Sequence, residues 1–132
     1  MFMEEVLLMD SILNSVKKIV GISEEDTSFD VDIIACINAV LATLNQLGVT
    51  PPKNSLVSDA SKTWDELTSS EIIQGLLPTY VGTKVRLMFD PPQSGPLIAN
   101  FEKIIQETEW RIAVQVSEED LAAPDGGMTV FE

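Results

Sequence analysis

The densest group of ligand-like side chains is Asp26, Ser28, Asp30 and Asp32, four oxygen donors on alternate residues that invite a calcium reading. An EF-hand loop needs glycine at its sixth position and a bidentate glutamate at its twelfth. Counted from Asp26 those positions hold Val31 and Ile37, and counted from Asp30 they hold Ala35 and Leu41. Both registers fail, and the acids read as helix-capping residues. Nucleophilic chemistry lacks its parts. The chain has no histidine, which excludes Ser-His-Asp and Cys-His systems and removes the main ligand of the commonest zinc sites. Cys36 is the sole cysteine, so no intrachain disulfide forms; mid-helix among apolar neighbours, it reads as a buried, inert thiol suited to a reducing compartment. Gly126-Gly127 has neither the lysine nor the hydroxyl of a phosphate loop, and Glu107 and Glu109, two apart on a helix, do not face each other as an acid and base would. The expectation is a protein without catalysis, cofactor or metal.

Helices must do the positioning. Residues 78–116 are the most legible stretch. Tyr80, Val81, Lys84, Val85, Met88 and Phe89 recur at helical spacing, with Arg86 on the opposite side. Asp90 precedes Pro91, whose ring drives the preceding residue out of the α region, and Pro92 removes a second donor, so this helix should end near Phe89. Gly95-Pro96 opens the next, with Ser94 or Gly95 as N-cap and Leu97, Phe101, Ile104, Ile105, Thr108 and Ile112 as its apolar stripe. Two helices folded back on each other across a stiff corner are the result.

Before this hairpin, residues 3–20 predict helix one, with Gly21 as its stop and Lys17 and Lys18 complementing the dipole in the last turn. Helix two is expected over residues 31–47, capped by Ser28 or Asp30 and stopped by Gly48. Its wide apolar surface, with Ala35, Cys36, Ala39 and Ala42 filling the gaps between the larger side chains, places it at the centre of the bundle. Pro51-Pro52 marks a loop. Thr63-Trp64-Asp65-Glu66 fits a capping box and a short helical turn, with Trp64 as a core plug, and Thr68-Ser69-Ser70-Glu71 fits a second box that opens helix three. Pro78 predicts a kink or break near residues 75–77, and Gly82 loosens the following turn. Past Val116, Ser117 to Asp120 offer one more helical turn. The remainder reads as an extended or disordered acidic tail in which Met128, Val130 and Phe131 alternate as a strand pairing with a partner would.

A chain of 132 residues with 45% apolar but only 6% aromatic residues suits one all-α domain with an aliphatic core, a four- to five-helix bundle. The balance of 8 Lys and Arg against 21 Asp and Glu, a formal charge of −13, argues against sequence-specific or phosphate-backbone binding of nucleic acid and against an anionic membrane surface. It suits either simple solubility or a passage that DNA crosses without sticking. No apolar run approaches the ~20 residues of a membrane span, and the acidic start of the chain is unlike the cationic start of a signal peptide.

Thr79-Tyr80-Val81, Lys84-Val85-Arg86-Leu87-Met88-Phe89-Asp90-Pro91-Pro92 and, after a gap, Glu109-Trp110-Arg111-Ile112 together resemble the head-tail connector (adaptor) proteins of long-tailed bacteriophages and prophages, particularly those of Gram-positive hosts. Pro78 and Gly82 depart from that pattern, standing where a lysine-like and a tyrosine-like residue are usual. The resemblance implies a helical connector domain over residues 1–116 and an acidic tail over 117–132. It implies a structural virion protein that forms a ring beneath the portal, extends the DNA channel and offers a platform to the next neck or tail component. Its partners would be the portal protein, a tail or neck protein and further copies of itself, in the virion neck after assembly in the host cytoplasm. A ring needs a heterologous interface, and the corner is a candidate to present one. Expected interface residues are Tyr80, Arg86, Phe89, Asp90, Pro91, Pro92, Trp110 and Arg111. For Tyr80, Phe89 and Trp110 a core position is the first reading and the ring contact the second. Arg86 and Arg111 pair either with a neighbour's acids or with Asp90 and Glu107 of their own chain. The alternatives are another neck or tail completion factor, or a soluble acidic helical regulator that binds one host protein.

Overall fold

The computed structural model describes residues 11–49 and 56–122. The first eight residues expected in helix one, the Pro51-Pro52 loop, and the alternating Met128, Val130 and Phe131 lie outside the described residues. Among the described residues four α-helices follow in order, α1 Ile12–Val20, α2 Asp30–Gln46, α3 Glu71–Phe89 and α4 Gly95–Ala122, with a 3-10 turn, Trp64–Glu66, between α2 and α3.

Caps set the helix ends. Ser11 is extended, and its hydroxyl accepts from the Asn14 amide at 3.1 Å, so α1 begins at Ile12. Gly21 and Gly48 both take the left-handed conformation expected of helix stops. The amides of Ile22 and Val49 then reach back to the carbonyls of Lys17 and Leu44. At the start of α2 neither expected cap operates. Phe29 occupies that position without a side-chain hydrogen bond, and its ring instead meets Phe89 edge-on at 5.6 Å. Thr68 does not cap α3 either. Its hydroxyl is taken by the Ser70 amide two residues on, and Ser70 caps the helix by accepting from the Ile73 amide at 3.2 Å.

The centre of the bundle is α3, which packs against each of the other three helices. Helix α2, expected there, lies at the periphery. It buries Ile33, Ile37, Val40, Leu41 and Leu44 along one stripe and leaves Ala35, Ala39 and Ala42 exposed. Helix α3 runs unbroken through Pro78. The proline forgoes one hydrogen bond, a cost of about 3 kcal/mol in an isolated helix, but Leu77, Tyr80, Val81 and Val85 on the same helix are fully buried and hold it in place. Gly82 explains how α1 comes so close: a Cβ there would lie 2.3 Å from Ile19 Cδ1. Trp64 fills the core as expected, its Nε1 donating to Ser15 Oγ at 3.2 Å.

Helix α4 is longer than expected, continuing past Val116 through Ser117 and Asp120 to Ala122. It lies antiparallel to α3, because contacts advance along one helix as they retreat along the other. Arg86 stacks over Phe101, the Tyr80 hydroxyl reaches Glu109, and the Ser70 hydroxyl reaches Glu119.

Candidate interaction surface

The corner between α3 and α4 is built from the residues that were expected there, and they serve to close it. The Asp90 amide donates to the Arg86 carbonyl at 2.9 Å, finishing α3, and Arg86 Nε donates to the Asp90 carbonyl at 3.0 Å. The guanidinium then lies over the Phe101 ring at 5.9 Å, which ties the end of one helix to the start of the next. Pro92 is buried and Pro91 exposed, while Phe89 is half-buried against Phe29. Ser94 accepts from the Leu97 amide at 3.3 Å and opens α4. Arg86 is therefore a staple of the corner, held by the main chain of Asp90 rather than by its carboxylate.

Tyr80 is fully buried, as first expected. Its hydroxyl donates to Glu109 Oε2 at 2.7 Å, and Lys84 Nζ approaches the same oxygen at 3.6 Å while lying 5.6 Å from the ring centre. Burial, then the hydrogen bond to Glu109 and the charge of that carboxylate, push the Tyr80 hydroxyl pKa well above its ordinary value. The sign for stability follows. An unfolded tyrosine ionises near pH ~10 while the folded one keeps its proton, so above that pH the unfolded state releases a proton the native state retains and stability falls. Tyr80 is the chain's single tyrosine. Tyr80→Phe should lower stability near neutral pH by about 1 kcal/mol, the worth of a partly exposed hydroxyl–carboxylate bond. It should also flatten the alkaline decline, as denaturant titrations between pH 8 and 11 would show.

Trp110 and Arg111 do not join the corner. They lie about 23 Å along α4 from Gly95, and Trp110 is 66% exposed, which corrects its reading as a core residue. The reason is rotational. The buried side of α4 carries Ile105, Thr108 and Ile112, and two residues beyond Thr108 is about 200° round the helix. Arg111 is exposed and pairs within its own chain with Glu107 at 3.1 Å. Trp110 and Arg111 instead line a shallow groove of about 260 Å³ with Ile72, Leu76, Val114 and Gln115, between the first turns of α3 and the middle of α4. Ile72, Leu76 and Val114 are not among the interface residues expected from the sequence. Their signal was the apolar pair Ile72 and Leu76, one residue out of step with the buried Ile73 and Leu77.

The acidic cluster has structural duties. Asp26 Oδ1 accepts from the Ser28 amide at 3.0 Å, a bond that lowers the Asp26 pKa, and Asp30 Oδ1 lies 2.9 Å from Lys17 Nζ. That lysine is fully buried at the end of α1 and also donates to the Glu24 carbonyl at 3.0 Å, a role its place in the last turn did not reveal. Among the described residues no cluster of His, Cys, Asp and Glu is placed to hold a metal ion, and no helix is long and apolar enough to cross a membrane.

Comparison with known proteins gives one family. The family model described as "Phage connector protein" matches residues 12–119, which span all four helices except the last turn of α4. Neither the curated proteins nor the solved structures contain a match.

Proposed function

The chain belongs to the phage connector protein family, with a structural role at the phage head–tail junction, and from that premise we propose that it assembles as a ring on the portal, extends the DNA channel and presents a platform to the next neck or tail protein. It acts by binding and catalyses no reaction. Its place is the virion neck, reached after assembly in the host cytoplasm.

The observation that carries the ring reading is the exposed Trp110 beside the groove that Ile72, Leu76 and Val114 line. An indole this large, mostly uncovered and next to other apolar side chains, contributes little to the single chain and suits a contact that is completed by another subunit. The corner residues Arg86, Phe89, Asp90, Pro91 and Pro92 support the reading differently: they hold α3 and α4 in a rigid hairpin, so the groove is presented in one geometry. The acidic balance of 21 against 8 agrees with a conduit whose walls repel phosphate.

Co-purification of the tagged protein with the portal protein encoded beside it, and imaging of the complex, tests this. A ring stacked on the portal is the expected result. Trp110→Ala should leave the fold intact, since an exposed side chain changes stability by only about 0.5 kcal/mol. It should weaken assembly by about 2 kcal/mol per contact, roughly thirtyfold in affinity. Absence of binding to both the isolated portal and DNA-filled heads would overturn the proposal.

A further inference from the structure

We infer that the groove between α3 and α4 receives the first turn of α2 from a second copy of this chain, with Val31 inserted beside Trp110 and Asp32 facing Arg111. The pairing rests on the ring reading above and names the two faces that meet.

Val31 is 81% exposed, the most exposed of the large hydrophobic side chains among the described residues, and the neighbouring Phe29 is also exposed. The packing of Phe29 on Phe89 fixes this apolar tip at the carboxyl end of α3. The groove lies at the other end of the same helix, because Ile72 and Leu76 belong to its first two turns. The rise from Leu76 to Phe89 is about 20 Å along the axis. Tip and groove are thus held apart by one continuous helix and cannot meet within a single molecule. Between two molecules they meet as unlike surfaces, a head-to-tail contact that repeats into a ring when its rotation closes and into a filament when it does not.

Charge selects this pairing from other apolar contacts. Arg111 is the only charged side chain among the six residues that line the groove, and its pair with Glu107 is exposed on both sides, so the guanidinium can turn to a second copy's carboxylate at little cost. Asp32, next to Val31, is exposed. In a chain with 21 acids and 8 cations most contacts between copies set acid against acid, so an acidic tip at a groove with an arginine rim avoids that repulsion. Size agrees as well. A groove of about 260 Å³ admits one or two aliphatic side chains and falls below the range of about 300–1,000 Å³ usual for small-molecule sites.

The test uses the full chain with Cys36→Ser, so that introduced cysteines are the only thiols. Val31→Cys together with Ile72→Cys, mixed with DNA-filled heads and oxidised, should give a ladder of disulfide-linked multimers, and either substitution alone should give none. Separately, Asp32→Arg or Arg111→Asp should each lower the head-bound fraction about tenfold, and the two combined should restore it. All four positions are exposed, and circular dichroism on each variant should show unchanged helix content. Rings of the unaltered protein with neither ladder nor rescue would overturn this pairing and leave the ring reading standing. Failure of the unaltered protein to assemble on the heads would remove both.

Discussion

Asp30→Ala should lower the unfolding free energy by about 3 kcal/mol, a large share of what a domain of this size possesses. The Lys17 side chain that Asp30 partners is 1% exposed, and its ammonium has two neighbours of opposite polarity, the Asp30 carboxylate at 2.9 Å and the Glu24 carbonyl at 3.0 Å. Deleting the carboxylate leaves a buried cation with only a carbonyl to hold it. The loss should sit at the lower end of the range of about 3–5 kcal/mol for breaking a buried pair, because Asp30 itself is partly exposed and water can enter where it stood. Lys17→Met combined with Asp30→Asn removes both charges and should recover most of the loss, since an apolar side chain of similar length fits where the lysine stem lies. Urea denaturation of the two variants decides the matter. A double variant as unstable as Asp30→Ala would show that packing, and not the unpaired charge, sets the cost.

The second large effect is expected at Gly82. A Cβ there would meet Ile19 Cδ1 at 2.3 Å, Cγ2 at 3.1 Å and Cβ at 3.2 Å. The far methyl of the isoleucine can turn away, but the branched stem has few rotamers available, so a larger side chain must push α1 from α3. Gly82→Leu should therefore cost about 3 kcal/mol, and Ile19→Ala in the same chain should return much of it by opening the space. Gly82→Ala is the informative control. Its gain in helix propensity is about 1 kcal/mol and offsets much of the milder clash, so it should sit near neutral. Were Gly82→Leu to melt like the parent protein, the packing of Ile19 on Gly82 would not limit the side chain at this position.

At both of these sites the deciding contact joins distant parts of the chain. The Asp90 to Ser94 corner, the glycine stops at Gly21 and Gly48 and the capping box before Trp64 were all legible, because both partners of each interaction lie within a few residues. Lys17 and Asp30 are separated by a turn and a connector. Nothing local distinguishes a lysine that complements a helix dipole from one that is carried into the core. The central place belongs to α3 and not to α2 for a related reason. Helix α2 has apolar residues almost all round, yet several are alanines that tolerate solvent, and its buried side chains form a single stripe that leaves Val31 outside. Helix α3, with a proline and two glycines, looked like the weaker candidate, although Gly82 is the feature that lets a neighbour approach it closely.

The candidate surface divides in the same way. The motif residues at the corner were found from the chain alone, and so was Tyr80 as a core residue, since helical spacing places it among apolar neighbours. Trp110, expected in the core, lies on the exposed side of α4, and Ile72, Leu76 and Val114 join it only through contact between helices. Helix class, the stop before the double proline and the restart at Gly95 follow from steric and hydrogen-bonding rules that act over four residues or fewer, so the amino-acid order contains all their terms. Which helix lies at the centre, which cation is buried and which apolar side chains remain uncovered depend on how the four helices are laid against one another. Those are properties of surfaces made from distant parts of the chain, and they exist only once the helices have packed.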